Sequence, residues 1–328
     1  MRKHLLPLLV ALLLLFTVVA VSSAQDAPLV LGLSVPSLEE EGFFATLVAE
    51  AQAAAEDADA ELVVLNADND VATEASNIEQ LIADAVSAIL LYPVDVTSAA
   101  ELIAQANEAN IPVLLIGATL PTDAEAEVAA TVGADAAAVG ELAASFFCEN
   151  AAEGSTVVAL SGIAGLEEDT ELDAEDARLT TVQGQLEGLA AAMEDNCAGV
   201  NVVAETTETY TNADSLTFAG ENLNRNVDGV FVPNAELALE MVGLVRELRL
   251  RGLNIVTLGV TPETLGALET NRLAGIISAT PESLGKLSVE TAVALLGGDE
   301  VEAAINADLT LVDADSVAAF RCLNPGGC

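Results

Sequence analysis

The chain alternates two kinds of segment. Short runs such as "AILLY", "IPVLLIG" and "VVAL" are apolar at consecutive positions. That is the pattern of strands covered by helices on both faces of a sheet. Such segments fall at 29–35, 61–66, 88–92, 112–117, 128–132, 156–161, 200–206, 229–233, 254–259 and 274–278. Between them lie amphipathic, Ala-rich stretches, expected as helices, near 43–57, 73–85, 98–109, 136–150, 180–194, 213–224, 235–250, 262–270 and 281–297. Repeated strand–helix alternation predicts an α/β fold with parallel, doubly wound sheets. Ten strands are many for one open sheet, so two lobes with a sheet each are expected.

The first 28 residues break this pattern. "MRKHLLPLLVALLLLFTVVAVSSAQDAP" carries Arg2 and Lys3, an apolar run from Leu5 to Val21, and small residues at Ser22 and Ala24 ahead of Gln25. This is the layout of a cleavable secretory signal over residues 1–24. A single membrane anchor is the alternative, because the run is close to the lower spanning limit of about 17 residues. Cleavage implies a periplasmic or extracellular protein.

Charge narrows the partners. The sequence holds 52 Asp and Glu against 10 Lys and Arg, a formal net charge of −42. Such a surface repels phosphate backbones, which excludes nucleic acid, and anionic lipid likewise. The acids are spread along the whole chain, as expected of a strongly hydrated surface; a cationic ligand is the other reading. The chain itself is expected to be a monomer.

Four cysteines, Cys148, Cys197, Cys322 and Cys328, in an exported chain suggest disulfides, and four allow three pairings. Cys148–Cys197 would join two predicted helix ends; Cys322–Cys328 would close the tail "CLNPGGC". Zinc is the rival, but the one His is His4 and the spacings match no common zinc pattern. No cofactor motif is present. No G-x-S-x-G and no Gly-rich phosphate loop after a strand occurs, so nothing points to an enzyme.

The stretch "SLEEEGFFATL", 37–47, places Phe43 and Phe44 behind three Glu, in a chain with 8 Phe, 2 Tyr and no Trp. It follows the first strand, where α/β sheets collect ligands beyond the carboxyl ends of their strands.

From Phe43 onward, "FFATLVAEAQAAAEDADAELVVLNADNDVATEASNIEQLIADAVSAILLYPVD", then "ANEANIPVLLIG", "SGIAG" at 161–165, "GVFVPNAELAL" at 229–239 and "LGKLSVETAVALLGGDEV" at 284–301, the chain resembles the ribose-type periplasmic sugar-binding proteins. These are the substrate-capturing components of ABC sugar importers. The resemblance implies the type I binding-protein fold: two doubly wound lobes joined by a three-segment hinge that closes on a solute. The crossings are expected near Gly133, Thr280 and Asp308. The N-terminal lobe would hold 28–133 plus 281–307, the C-terminal lobe 134–280 plus 308–321, and 322–328 would be a tail.

The resemblance also implies site residues. Phe43 and Phe44 match an aromatic pair that walls the pocket; the alternative is that they are core. Asn234 matches a polar residue at a strand end, and would otherwise cap the following helix. Tyr210 lies near a second-lobe aromatic, unless it is an ordinary surface Tyr, and Tyr92 replaces a common Asn at a strand end. Thr181 or Arg178 falls near a usual Arg, and Glu41 stands in the loop before the Phe pair. Gly117 and Ala118 take the place of an acid–Arg pair, Ala235 of an acid, and Ala279 of a Gln; an acid near Gly259 is missing. Charge-assisted hydrogen bonds are worth roughly 1.5–3 kcal/mol each, so a pocket without them suits a different ligand from ribose. The expected function is capture of a small neutral solute, most plainly a carbohydrate, for an ABC permease. The alternatives are a sensor for a membrane receptor and a paralogue that binds no sugar.

Overall fold

The computed structural model describes residues 29–38, 43–120, 124–166, 172, 176–197, 199–207 and 209–317. The proposed signal segment, Glu41 and the Cys322–Cys328 pair lie outside them. The described chain forms two six-stranded sheets with helices between the strands.

The first sheet contains β1 (Val30–Val35), β2 (Glu61–Asn66), β3 (Ala88–Leu91), β4 (Val113–Ile116), β5 (Ala130–Ala134) and β11 (Ala304–Ala307), in the order β11-β5-β4-β3-β1-β2 and parallel throughout. The second contains β6 (Thr156–Ala159), β7 (Asn201–Ala204), β8 (Val227–Val232), β9 (Asn254–Leu258), β10 (Gly275–Ala279) and β12 (Leu309–Val312). Its order is β12-β10-β9-β8-β6-β7, with only the edge strand β12 antiparallel. The inner strands are apolar on both faces because both faces are covered: all four residues of β3 and of β4 are buried.

Nine helices stand among the described residues: α1 (Phe43–Asp57), α2 (Val71–Ala83), α3 (Val96–Glu108), α4 (Ala136–Asn150), α5 (Ala177–Asn196), α6 (Asn212–Asn222), α7 (Ala235–Glu247), α8 (Pro262–Glu269) and α9 (Pro281–Gly297). Part of the acidity is spent on starting them. Asp70, Asp95 and Asp135 each accept from the backbone N–H three residues on, at 2.7, 2.8 and 2.7 Å. A cap of this kind contributes about 1 kcal/mol.

The chain passes between the sheets three times: after β5, between β10 and α9 at Thr280, and between β11 and β12 at Asp308. The crossings are laced to one another. Thr280 N–H donates to Asp308 O at 2.8 Å, Asp308 N–H to Ser283 Oγ at 3.0 Å, and Asn306 Nδ2 to Asp135 Oδ2 at 2.9 Å. A disulfide joins Cys148 in α4 to Cys197 at the end of α5, with Cα atoms 5.1 Å apart.

Candidate functional site

A cleft of about 390 Å³ opens between the carboxyl ends of the two sheets. That volume falls within the range of small-molecule sites, about 300–1,000 Å³. The first sheet supplies Pro36 and Ser37 after β1, Asn69 after β2, Tyr92 and Val94 after β3, and Gly117 after β4. The second supplies Gly259, Val260 and Thr261 after β9, and Ser278 and Ala279 in β10. No Asp, Glu, Lys, Arg or His stands among the described lining residues.

One wall is aromatic. Phe44 packs edge-to-face on Phe43, centroids 5.2 Å apart, and on Tyr92 at 4.9 Å; Phe43 and Tyr92 are 6.1 Å apart. Phe43 is 6% exposed and belongs to the core, while Phe44 is half-buried. Both rings line the cleft, Phe43 from within the core and Phe44 with more of its surface exposed. Burial pushes the Tyr92 phenol up to about 12, so it stays neutral and able to donate.

Tyr92 occupies its place because residue 117 is glycine. A Cβ on Gly117 would lie 2.8 Å from Tyr92 Cε2 and 3.0 Å from its hydroxyl, and the backbone there has φ +68°. Both facts select Gly. The ring therefore fills ground next to a position where the resemblance would put a carboxylate.

Behind the wall, buried Glu74 of α2 accepts from Val94 N–H at 2.8 Å and fixes the turn after Tyr92. Burial raises its carboxyl above the usual range, against the lowering effect of that bond. Polar atoms in the cleft are few. Ser37 is 5% exposed and its Oγ has no partner among the described residues. Ser278 Oγ donates to Ala279 O at 2.9 Å, and the Thr261 hydroxyl accepts from Thr264 N–H in the cap of α8.

The structure brings Phe43, Phe44 and Tyr92 together and places Asn234, Thr181, Arg178 and Tyr210 elsewhere in the second lobe. Asn234, one strand beyond the cleft at the end of β8, caps α7: its Oδ1 accepts from Leu237 N–H at 2.8 Å and its Nδ2 donates to Gly162 O at 2.8 Å. Thr181 donates to Ala177 O at 2.6 Å within α5. Arg178 is held at the start of α5 by Asp176, Nη2 to Oδ2 at 3.0 Å and Nε to Oδ1 at 3.2 Å. Burial works to raise the Asp176 carboxyl, but its bonds to Arg178 prevail and hold it below the usual range. Tyr210 packs against the Ile163, Leu179 and Val182 cluster, and its carbonyl accepts from Ile163 N–H at 2.8 Å. Sequence reasoning left out Ser37, Asn69 and the 260–262 turn as lining residues. The signal available for them was position alone, each following a predicted strand.

Comparison with known proteins matches this geometry. Residues 31–300 match the family described as a periplasmic binding protein domain. The ribose import binding protein RbsB of Haemophilus influenzae is 30% identical over 315 residues, covering 94% of this chain and 99% of its own. RbsB of Escherichia coli K12 is likewise 30% identical over 316 residues, covering 94% and 98%. Among solved structures, the arabinose-binding protein AraP of Geobacillus stearothermophilus superposes with a TM-score of 0.63 at 19% identity, over 89% of this chain and 98% of that one. The two-sheet fold and the absence of catalytic machinery are shared properties of the group, and membership implies an extracytoplasmic location. With 270 consecutive positions matched and RbsB proteins similar over nearly their whole length, the chain belongs to the periplasmic binding proteins, a family of non-catalytic solute-binding components of ABC transporters.

Proposed function

We propose that the protein captures a small uncharged carbohydrate or polyol between its two lobes and delivers it to an ABC permease. The observation that carries this reading is the cleft itself: an aromatic wall of Phe44 and Tyr92, polar atoms at Ser37 and Asn69, and no charged side chain among the described lining residues. Aromatic faces pack on the C–H face of a sugar ring, and neutral hydroxyls pair with its hydroxyl groups. Three laced crossings, after β5, at Thr280 and at Asp308, serve as the hinge between a lobe of 28–133 plus 281–307 and a lobe of 134–280 plus 308–321. Removal of residues 1–24 releases the chain outside the cytoplasm.

The reading is supported by relatives named for ribose import and modified by the cleft. Small residues at Gly117, Gly259 and Ala279 line it, so binding rests on ring burial and neutral hydrogen bonds. The test is thermal unfolding with a panel of pentoses, hexoses, deoxy sugars and polyols, with sugar phosphates as charged controls. A ligand at a hundredfold its Kd adds about 2.7 kcal/mol, so at least one neutral compound raises the melting temperature. A flat panel would mean a paralogue that binds no sugar. A response confined to the sugar phosphates would overturn the uncharged-ligand reading.

A further inference from the structure

The strands of the second lobe carry the cleft at their carboxyl ends. Their amino ends carry a different surface. Five of the chain's ten Lys and Arg residues, Arg225, Arg246, Arg249, Arg251 and Arg272, gather there. Arg225 precedes β8, Arg249 and Arg251 precede β9, Arg272 precedes β10, and Arg246 lies in the last turn of α7. All five are exposed. Arg225, Arg246, Arg249 and Arg251 make no ion pair with a described carboxylate, in a chain with 52 acids. Part of the concentration suits the negative end of α7, but that accounts for Arg246 and Arg249 and not for Arg225 or Arg272.

Between these guanidinium groups runs a groove of about 780 Å³ floored by Leu239, Val242, Val245, Leu250 and Leu253. A smaller recess of about 270 Å³ on the other side of the 249–253 turn is edged by Arg225, Arg249 and Arg251, and by Asp228. The Asp228 carboxylate accepts from Ala152 N–H at 2.9 Å. An apolar floor with an arginine rim is the composition of a protein-binding hot spot.

We propose that this groove docks a short acidic amphipathic segment of a partner protein, its apolar side chains on the leucine and valine floor and its carboxylates on the arginine rim. Charge chooses the occupant. A membrane, an anionic polymer or a second copy of the chain meets the field of the whole molecule, whose net charge is −42. A short segment reaches only the basic patch, and beyond about 8 Å the remaining charge is screened at physiological salt. β9 has five residues, Asn254–Leu258, and at about 3.3 Å per residue it separates this face from the cleft by roughly 16 Å. The partner therefore sits on the lobe without blocking solute entry.

The test measures fluorescence anisotropy of a labelled synthetic peptide with Leu at every third or fourth position of a helix and Glu on the flanks. The expected result is saturable binding that weakens at least about tenfold for Arg249→Glu/Arg251→Glu, and about as much for a scrambled peptide of the same composition. Gly243→Glu, placed where a Cβ meets nothing within 4 Å, also weakens it while favouring the helix. An unchanged melting temperature and an unchanged response to the cleft's ligand show that the variants are folded. Equal affinity for the charge-reversed protein, equal affinity for the scrambled peptide, or no binding at physiological salt would each overturn the proposal. So would arginine-dependent sedimentation with phosphatidylglycerol–phosphatidylcholine vesicles, or arginine-dependent dimerisation, since either assigns the face to another occupant.

Discussion

Gly285, in the second turn of α9, holds the aromatic wall in place through a backbone contact. A Cβ at this position would lie 2.1 Å from Leu47 O, 3.0 Å from Leu47 C and 3.1 Å from Ala51 N. Ordinary contact begins near 3.4 Å, so Gly285→Ala requires α1 and α9 to separate by more than an ångström at this crossing. The obstructing atoms are main chain and cannot swing aside. Overpacking costs about 1–3 kcal/mol, and with backbone on the far side the upper end applies. The better helix propensity of Ala returns about 1 kcal/mol, leaving a net loss of about 2 kcal/mol. Leu47 stands one helical turn after Phe43, so the same displacement moves the Phe pair and weakens ligand binding. Urea unfolding followed by circular dichroism measures the first effect, and calorimetric titration with the best neutral compound of the panel the second. Gly297→Ala, at the far end of the same helix with nothing within 4 Å of its Cβ, is the control and is neutral or slightly stabilising. If Gly285→Ala behaves like this control in both assays, α1 and α9 are not in backbone contact and the reasoning fails.

Phe44→Ala weakens ligand binding by about 1–3 kcal/mol with little loss of stability, while Phe43→Ala, at a 6% exposed position, loses about 3–5 kcal/mol of stability; paired titration and melting experiments check the contrast, and the reverse order would refute it. Replacing both Cys148 and Cys197 by Ser opens a loop with a sequence separation of 49 and costs about 4 kcal/mol on the chain-entropy relation, read from unfolding curves against the oxidised parent. The folded Glu74 carboxyl sits above its unfolded pKa because burial penalises its charge, so the folded state binds the proton more tightly. Stability is then greatest below the unfolded carboxylate range and falls as pH rises through the folded value. Glu74→Gln keeps an oxygen for Val94 N–H and removes the charge, so its stability gain over the parent grows from acid to neutral pH; a constant difference would refute this.

Much of the fold can be read from sequence because buried parallel strands advertise themselves. "AILL" and "VLLI" are apolar throughout, and nothing but double-sided cover explains that. β11 and β12 escape for the opposite reason. "AINA" and "LTLV" are four residues each, sit at sheet edges, and leave several positions partly exposed. They also abut at Asp308 while belonging to different sheets, which a linear pattern cannot express. The cleft is legible where it is aromatic, at Phe43, Phe44 and Tyr92, because rings next to strand ends need an explanation. It is not legible at Ser37 and Asn69, whose residue types are ordinary in turns. Asn234 shows the limit from the other side: an amide at a strand end serves a ligand or a helix cap equally well by sequence, and here its oxygen and nitrogen are both engaged within the protein.

The cleft's economy of polar groups bears on how closure can depend on ligand. A buried hydroxyl without a partner costs about 1–3 kcal/mol. Ser37 Oγ is already in that state, and the Tyr92 hydroxyl, held neutral over Gly117, has no described side-chain partner. In the proposed reading, closing the lobes on an empty cleft removes water from the Tyr92 hydroxyl and offers nothing in return, whereas a bound hydroxyl meets it and the ring faces gain apolar cover. In the proposed reading, a ligand favours the closed state by that difference and by no more. Charged clamps would raise affinity, but they would also leave unpaired charge in every empty closure. Neutral polar atoms and aromatic rings keep the unliganded cost small while still making closure dependent on the solute.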